Sequence, residues 1–173
     1  MVNDARQYCN LKGSFELKYG GVLNSAEIAF ETWGNLNTSK DNGVLIFTGL
    51  SPSAHAASSD ADPSPGWWEN IVGPKKPIDT DQYFVICANS LGSCFGSTGP
   101  ASINPKTQEL YRLEFPKLAL EDIAKSTNEV LKHLGIDSLK AVVGPSMGGM
   151  TAMSLLLKYP SICERLLLIS TAS

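Results

Sequence analysis

The sequence predicts an α/β fold: a mostly parallel sheet with flanking helices and antiparallel strands at the N-terminus. Three observations predict it. Short apolar runs recur at Val44 to Phe47, Tyr83 to Ala88, Leu139 to Val143 and Leu166 to Ile169. The first three are rich in β-branched residues and do not alternate with polar ones, which is how strands buried on both faces of a parallel sheet read. Helical patterns fall between the later runs, and strand–helix–strand order implies right-handed parallel crossovers. Earlier in the chain, Ser14 to Leu17 and Glu27 to Trp33 alternate apolar and polar positions, as half-exposed strands do.

Taken in order, Gly20-Gly21 is a turn signal between those two alternating segments and predicts that they form an antiparallel pair. After Val44 to Phe47 comes a long connection, Ser51 to Thr80, and after Tyr83 to Ala88 a second, Asn89 to Pro116. Both are rich in Pro, Gly, Ser and Asn. Loops this long inside a compact domain are unusual and often line sites; a surface linker is the alternative. Burial of Trp67-Trp68 would anchor the first. From Leu118 to Leu134, Ile123, Val130, Leu131 and Leu134 share one side of a helix, and Gly135 is its stop signal. Thr151 to Tyr159 reads as a second helix, ended by Pro160.

The 173 residues suffice for one domain with a real core, and 43% hydrophobic and 18% charged residues are ordinary for a globular chain. A net charge of −3 with no dense Lys/Arg run argues against a nucleic-acid partner. The polar opening, Met1 to Arg6, does not read as a secretory leader. No apolar run is long enough to span a bilayer, so the expectation is a cytoplasmic protein without a membrane partner. Cys9, Cys87, Cys94 and Cys163 show neither CxxC spacing nor clustered histidines, so no metal site is expected. Cys87 and Cys163 read as core residues. Cys94, in a Gly/Ser-rich loop, reads as an ordinary loop thiol, with a reactive thiol as the alternative. There is no Gly-x-Gly-x-x-Gly after a strand and no P-loop, hence no expected cofactor.

Gly144-Pro145-Ser146-Met147-Gly148 fits G-x-S-x-G. The letters alone are a weak signal, but they follow one expected strand and open a helix, as a nucleophile elbow requires. Ser146 is therefore the candidate nucleophile. Gly144 and Gly148 spare the Cβ atoms that would clash where strand and helix meet. The helix N-terminus offers free N–H groups and partial positive charge to an oxyanion, making the Met147 N–H one candidate donor. The second donor in such a fold comes from the loop after an earlier strand. Thr48-Gly49-Leu50-Ser51 occupies that place, and the Leu50 N–H is the candidate; an ordinary strand-to-loop turn is the alternative.

A serine needs a base. Only His55 and His133 are present. His133 reads as a surface residue near a helix C-terminus, and His55 lies in the first long loop. In an elbow-bearing fold the acid and histidine follow the serine, yet beyond Ser146 there is no histidine and a single acidic residue, Glu164. The expectation is the N-terminal portion of a single α/β-hydrolase-fold catalytic domain over residues 1–173, whose lid and C-terminal triad region lie outside the sequence.

Several segments carry a family resemblance: Pro65-Gly66-Trp67-Trp68, Val72-Gly73-Pro74, Pro77-Ile78-Asp79-Thr80-Asp81, Asn89-Ser90-Leu91-Gly92-Ser93-Cys94, Gly96 to Pro105 and Gly144 to Met150. Through them the chain resembles the homoserine O-acetyltransferase family of α/β-hydrolase-fold acyltransferases, which includes serine and homoserine O-succinyltransferases. The resemblance implies that Ser146 attacks an acyl-CoA thioester and that an amino-acid hydroxyl then takes the acyl group. Acyl-CoA would be a co-substrate, with no bound cofactor. It also implies a lid through which members of the family often dimerise, so that a homodimer of the full-length protein is one expectation, with the oligomeric state open. Pro145, where many acetyltransferases of the family have Gly, together with Gly49 to His55 and Tyr111 to Pro116, resembles the serine O-succinyltransferase branch. Arg112 is a candidate partner for a succinyl carboxylate, with a solvated loop arginine as the alternative. Two other readings stand beside acyl transfer: an esterase on the same scaffold, and a chain that is catalytically incomplete by itself.

Overall fold

The computed structural model describes residues 4–172, so Met1-Val2-Asn3, read above as part of a polar opening, lies outside it. Its strands are β1 (Gln7–Asn10), β2 (Ser14–Glu16), β3 (Val22–Asn24), β4 (Glu27–Trp33), β5 (Gly43–Phe47), β6 (Val72–Gly73), β7 (Ile78–Asp79), β8 (Phe84–Ala88), β9 (Ala141–Pro145) and β10 (Leu166–Ile169); its helices are α1 (Leu120–Leu134) and α2 (Met147–Lys158). Six strands form one sheet in the order β1-β4-β8-β5-β9-β10. Strands β8, β5, β9 and β10 run parallel, while β4 lies antiparallel to both β1 and β8. This is the expected α/β architecture.

One expectation about pairing is corrected. The segment from Ser14 pairs not with Glu27–Trp33 but with β3, across the Gly20-Gly21 turn, in a separate two-stranded ribbon. The reason lies in burial. In β2 only the central Phe15 is buried, whereas β4 is buried at five of its seven positions and needs neighbours on both edges. The strand β1 that supplies one of those edges was not anticipated. The strand expected from Leu139 begins at Ala141, because Leu139 makes only an isolated bridge to Cys163.

The sheet has two covered faces. Ile28, Phe30, Leu45, Phe47 and Ile86 pack with Val130 and Leu131 of α1 and with Leu155 of α2. On the other side, Trp33, Ile46, Val85 and Cys87 pack under Ala54, Ala56, Val72 and the stacked pair Trp67–Trp68. The first long connection is therefore an ordered cover for half of the sheet, and the Trp33 indole fastens it by donating to the Ala57 carbonyl at 3.1 Å. Both helices take the expected places, and the Gly135 N–H closes α1 on the carbonyls of Leu131 and Lys132. Among the described residues no helix is long and apolar enough to cross a membrane.

The strand order also locates a crevice. From β5 the chain crosses to β8 on one side, and from β9 it crosses to β10 on the other. In such sheets ligands bind outside the carboxyl ends of the strands where the connections part. Here that point lies between the ends of β5 and β9.

Candidate active site

Ser146 stands at that point, exposed, between β9 and α2. Its backbone lies at φ 53°, ψ −125°, a conformation non-glycine residues rarely adopt. Neighbours hold it there. The Ser146 N–H donates to the Ile169 carbonyl at 2.9 Å, and the Ser146 carbonyl accepts from the Thr171 hydroxyl at 3.1 Å. Strand β10 and the residues after it thus pin the turn.

The tightness of the turn explains its glycines. A Cβ on Gly144 would lie 2.5 Å from the Gly148 carbonyl oxygen. A Cβ on Gly148 would lie 2.6 Å from the Phe47 carbonyl oxygen and 2.7 Å from that of Thr48. The second contact does more than permit the turn: it lets the first turn of α2 sit against the exit of β5, beside the loop that carries Leu50. Among the described residues neither the Leu50 nor the Met147 N–H has a backbone acceptor. Both residues line one cavity of 430 Å³. Leu91, Phe95 and Leu118 make it mainly apolar, while Ser90 and Ser93 bring hydroxyls and Cys94 a thiol. The second long connection, expected to line a site, borders this cavity. The arrangement offers an exposed hydroxyl, two free N–H donors and a hollow for an apolar chain.

The other sequence candidates fall elsewhere. Arg112 is exposed at φ 48°, its N–H bound to the Pro100 carbonyl, and it borders a separate hollow with Ile103 and Glu109. The structure does not bring it to the cavity shared by Leu50 and Met147. His133 is exposed near the end of α1, edge-on to the Phe30 ring. His55 is tied to Glu31 and Ser64. Among the described residues neither histidine is hydrogen-bonded to Ser146.

Sequence reasoning missed the residues that brace the site. Asn89, nearly fully buried at the end of β8, joins two loops: its Oδ1 accepts from the Ala54 N–H at 2.6 Å and its Nδ2 donates to the Phe95 carbonyl at 2.7 Å. Glu31 is 3% exposed within the sheet. Burial pushes its carboxyl above the usual range, and the hydrogen bond and charge of His55 only partly offset this. Burial pushes up the neighbouring Cys87 thiol as well, which suits an inert core residue rather than a reactive one. Read as an alternating, half-exposed strand, Glu27 to Trp33 gave no signal for a buried acid at Glu31.

Residues 44–173 match the family described as alpha/beta hydrolase fold. The chain is 56% identical over 170 residues to a serine O-succinyltransferase of Litchfieldella anticariensis, covering 98% of this chain and 46% of that protein. Among solved structures, homoserine O-acetyltransferase from Bacillus anthracis superposes with a TM-score of 0.87 at 37% identity, over 96% of this chain and 46% of that one. Esterase E22 does so with a TM-score of 0.88 at 36% identity, over 96% and 47%. The chain thus spans just under half the length of the relatives it matches.

Proposed function

Because this chain belongs to the α/β hydrolase fold family, we propose that Ser146 is the nucleophile of an O-acyltransferase that moves an acyl group, through an acyl-serine, to an amino-acid hydroxyl. The observation that carries the reading is the exposed, pinned Ser146 on the strained turn next to Met147, whose free N–H shares a cavity lining with Leu50. Ser146 Oγ adds to the thioester carbonyl of acyl-CoA as its proton passes to a general base. The two N–H groups hold the resulting oxyanion, whose collapse expels the CoA thiol. This chain covers 46% of the serine O-succinyltransferase it matches, and the base and its acid partner are proposed for the remaining length of the full-length protein. The acceptor hydroxyl then attacks the acyl-serine, and Ser146 recovers its proton.

The 56% identity to a serine O-succinyltransferase supports a succinyl donor and L-serine as acceptor, with acetyl transfer to L-homoserine next. Such O-acyl amino acids would feed cysteine or methionine synthesis in the cytoplasm. The test is a donor and acceptor matrix with the full-length protein: succinyl-CoA and acetyl-CoA against L-serine and L-homoserine. Acyl transfer should be abolished by Ser146→Ala; transfer that survives this substitution overturns the reading. The likeness to esterase E22 favours a second reading, ester hydrolysis at the same serine. Rapid hydrolysis of simple esters without stimulation by either amino acid would select it.

A further inference from the structure

Outside the proposed site lies a second constellation with the outline of a catalytic triad. His55 Nδ1 is 2.9 Å from Glu31 Oε2, and His55 Nε2 is 3.2 Å from Ser64 Oγ. Its protons rule out a nucleophilic serine. His55 Nε2 also lies 2.8 Å from the Ser64 carbonyl, which only accepts, so Nε2 carries a hydrogen and has no lone pair for the hydroxyl. Ser64 Oγ already donates to Asp62 Oδ1 at 2.7 Å. On the other ring nitrogen, one proton is shared between His55 Nδ1 and the Glu31 carboxylate. Loss of that proton leaves a lone pair facing a buried anion.

This pair is placed to act on the oxyanion turn. Glu31 belongs to β4, opposite Cys87 of β8, and is fixed by the sheet. His55 is five residues beyond Leu50. The stretch between them is bound at a second point, where the Ala54 N–H meets Asn89, and at a third, where the Trp67 indole donates to the Ser53 carbonyl at 2.8 Å. We propose that Glu31 and His55 are positioning residues, whose shared proton holds the loop after β5 so that the Leu50 N–H faces the reacting carbonyl. The proposal rests on the acyl-transfer reading of Ser146.

It carries a pH dependence. The charged groups around the pair are Asp62 on the same loop, with Oδ2 3.9 Å from His55 Nδ1, and Arg6 and Asp4 on the N-terminal segment, which pair with each other at 2.7 Å; the Cys87 thiol faces it from β8. Burial pulls the His55 pKa down. The bonds to Glu31 and the Ser64 carbonyl and the charges of Glu31 and Asp62 outweigh that, leaving it above the ordinary histidine value. A raised pKa means that the tie is complete below the unfolded-state value and is lost as pH rises through the folded-state value. The turn is thus held below the folded-state His55 pKa, which lies above the ordinary histidine value, and loosens as pH rises through it.

The test uses the full-length protein and its Glu31→Gln and His55→Gln variants, with succinyl-CoA as the acyl donor. Two quantities are followed against pH: the pre-steady-state rate of Ser146 acylation, and the His55 ring nitrogens by NMR of labelled histidine. Unsubstituted protein should lose acylation as pH rises, with the midpoint at which His55 Nδ1 loses its proton. His55→Gln should acylate about 10-fold to 10²-fold more slowly at pH values below the His55 midpoint and lack that limb. Glu31→Gln, nearly isosteric, should shift the His55 midpoint and the limb together to lower pH. An unchanged limb with rates within about twofold in both variants overturns the positioning role. A His55 midpoint indifferent to Glu31→Gln overturns the shared proton. If the unsubstituted protein forms no acyl-Ser146 whatever the pH, the acyl-transfer reading falls and takes the positioning role with it, while the NMR titration still distinguishes that failure from a missing pair.

Discussion

At Ser146 a side chain with a Cβ is held at positive φ, a conformation that costs about 1–3 kcal/mol. The cost is offset by the Ile169 carbonyl and the Thr171 hydroxyl, which bind the Ser146 peptide groups from β10 and beyond. Ser146→Gly should therefore raise stability by about 1 kcal/mol in denaturant unfolding while eliminating acylation; unchanged or lower stability would contradict a strained Ser146 backbone. Ser146→Ala should lower acylation on the order of 10⁶-fold. The Leu50 side chain is 80% exposed, so Leu50→Pro chiefly removes an N–H. It should lower the acylation rate by about 10²-fold to 10³-fold, the usual effect of losing one oxyanion donor. The turn was legible in the sequence because it is local: five adjacent residues state the strand-to-helix turn and the close approach its glycines allow. Thr171 and Asn89 were not legible, since they act across 25 and 35 positions of chain and nothing near them in sequence marks a partner.

Among the elements, the two long connections decide the shape of the site. Asn89 ties them to each other, and Asn89→Ala would leave the buried Ala54 N–H without its partner, while the Phe95 carbonyl keeps the Arg6 guanidinium at 3.3 Å. A loss of about 1–3 kcal/mol per unsatisfied group is expected in urea unfolding, together with slower acylation. A second clamp lies nearer the surface. The Glu69 carboxylate accepts from the Ser58 and Gly66 N–H groups and pairs with Lys76, and these bonds hold its pKa down to about 2 from 4.5. A depressed pKa gives stability that is full above 4.5 and is lost as pH falls towards 2. Glu69→Gln should flatten the acid side of the stability profile between those values; an unaltered profile would show that the clamp contributes nothing. Element type was readable from burial patterns, because buried parallel strands and amphipathic helices have different periods. Partner choice was not. The Gly20-Gly21 turn was visible, but which strand returned from it depended on β4 finding places beside β1 and β8, and β1 is a four-residue strand with one buried side chain.

The whole molecule joins a sheet whose connections part between β5 and β9 to a cavity at that point, and the proposed nucleophile and N–H donors come from the elements on either side. At the far edge, β10 leaves Leu167, Leu168 and Ile169 partly exposed. The chain spans just under half the length of its relatives, so activity belongs to experiments on the full-length protein. The most direct of these is peptide mass spectrometry after rapid mixing of full-length protein with succinyl-CoA and no acceptor. The account predicts one succinyl group on the peptide containing Ser146, discharged by L-serine and absent from Ser146→Ala. A succinyl group on another residue, or turnover with Ser146 replaced, would contradict it.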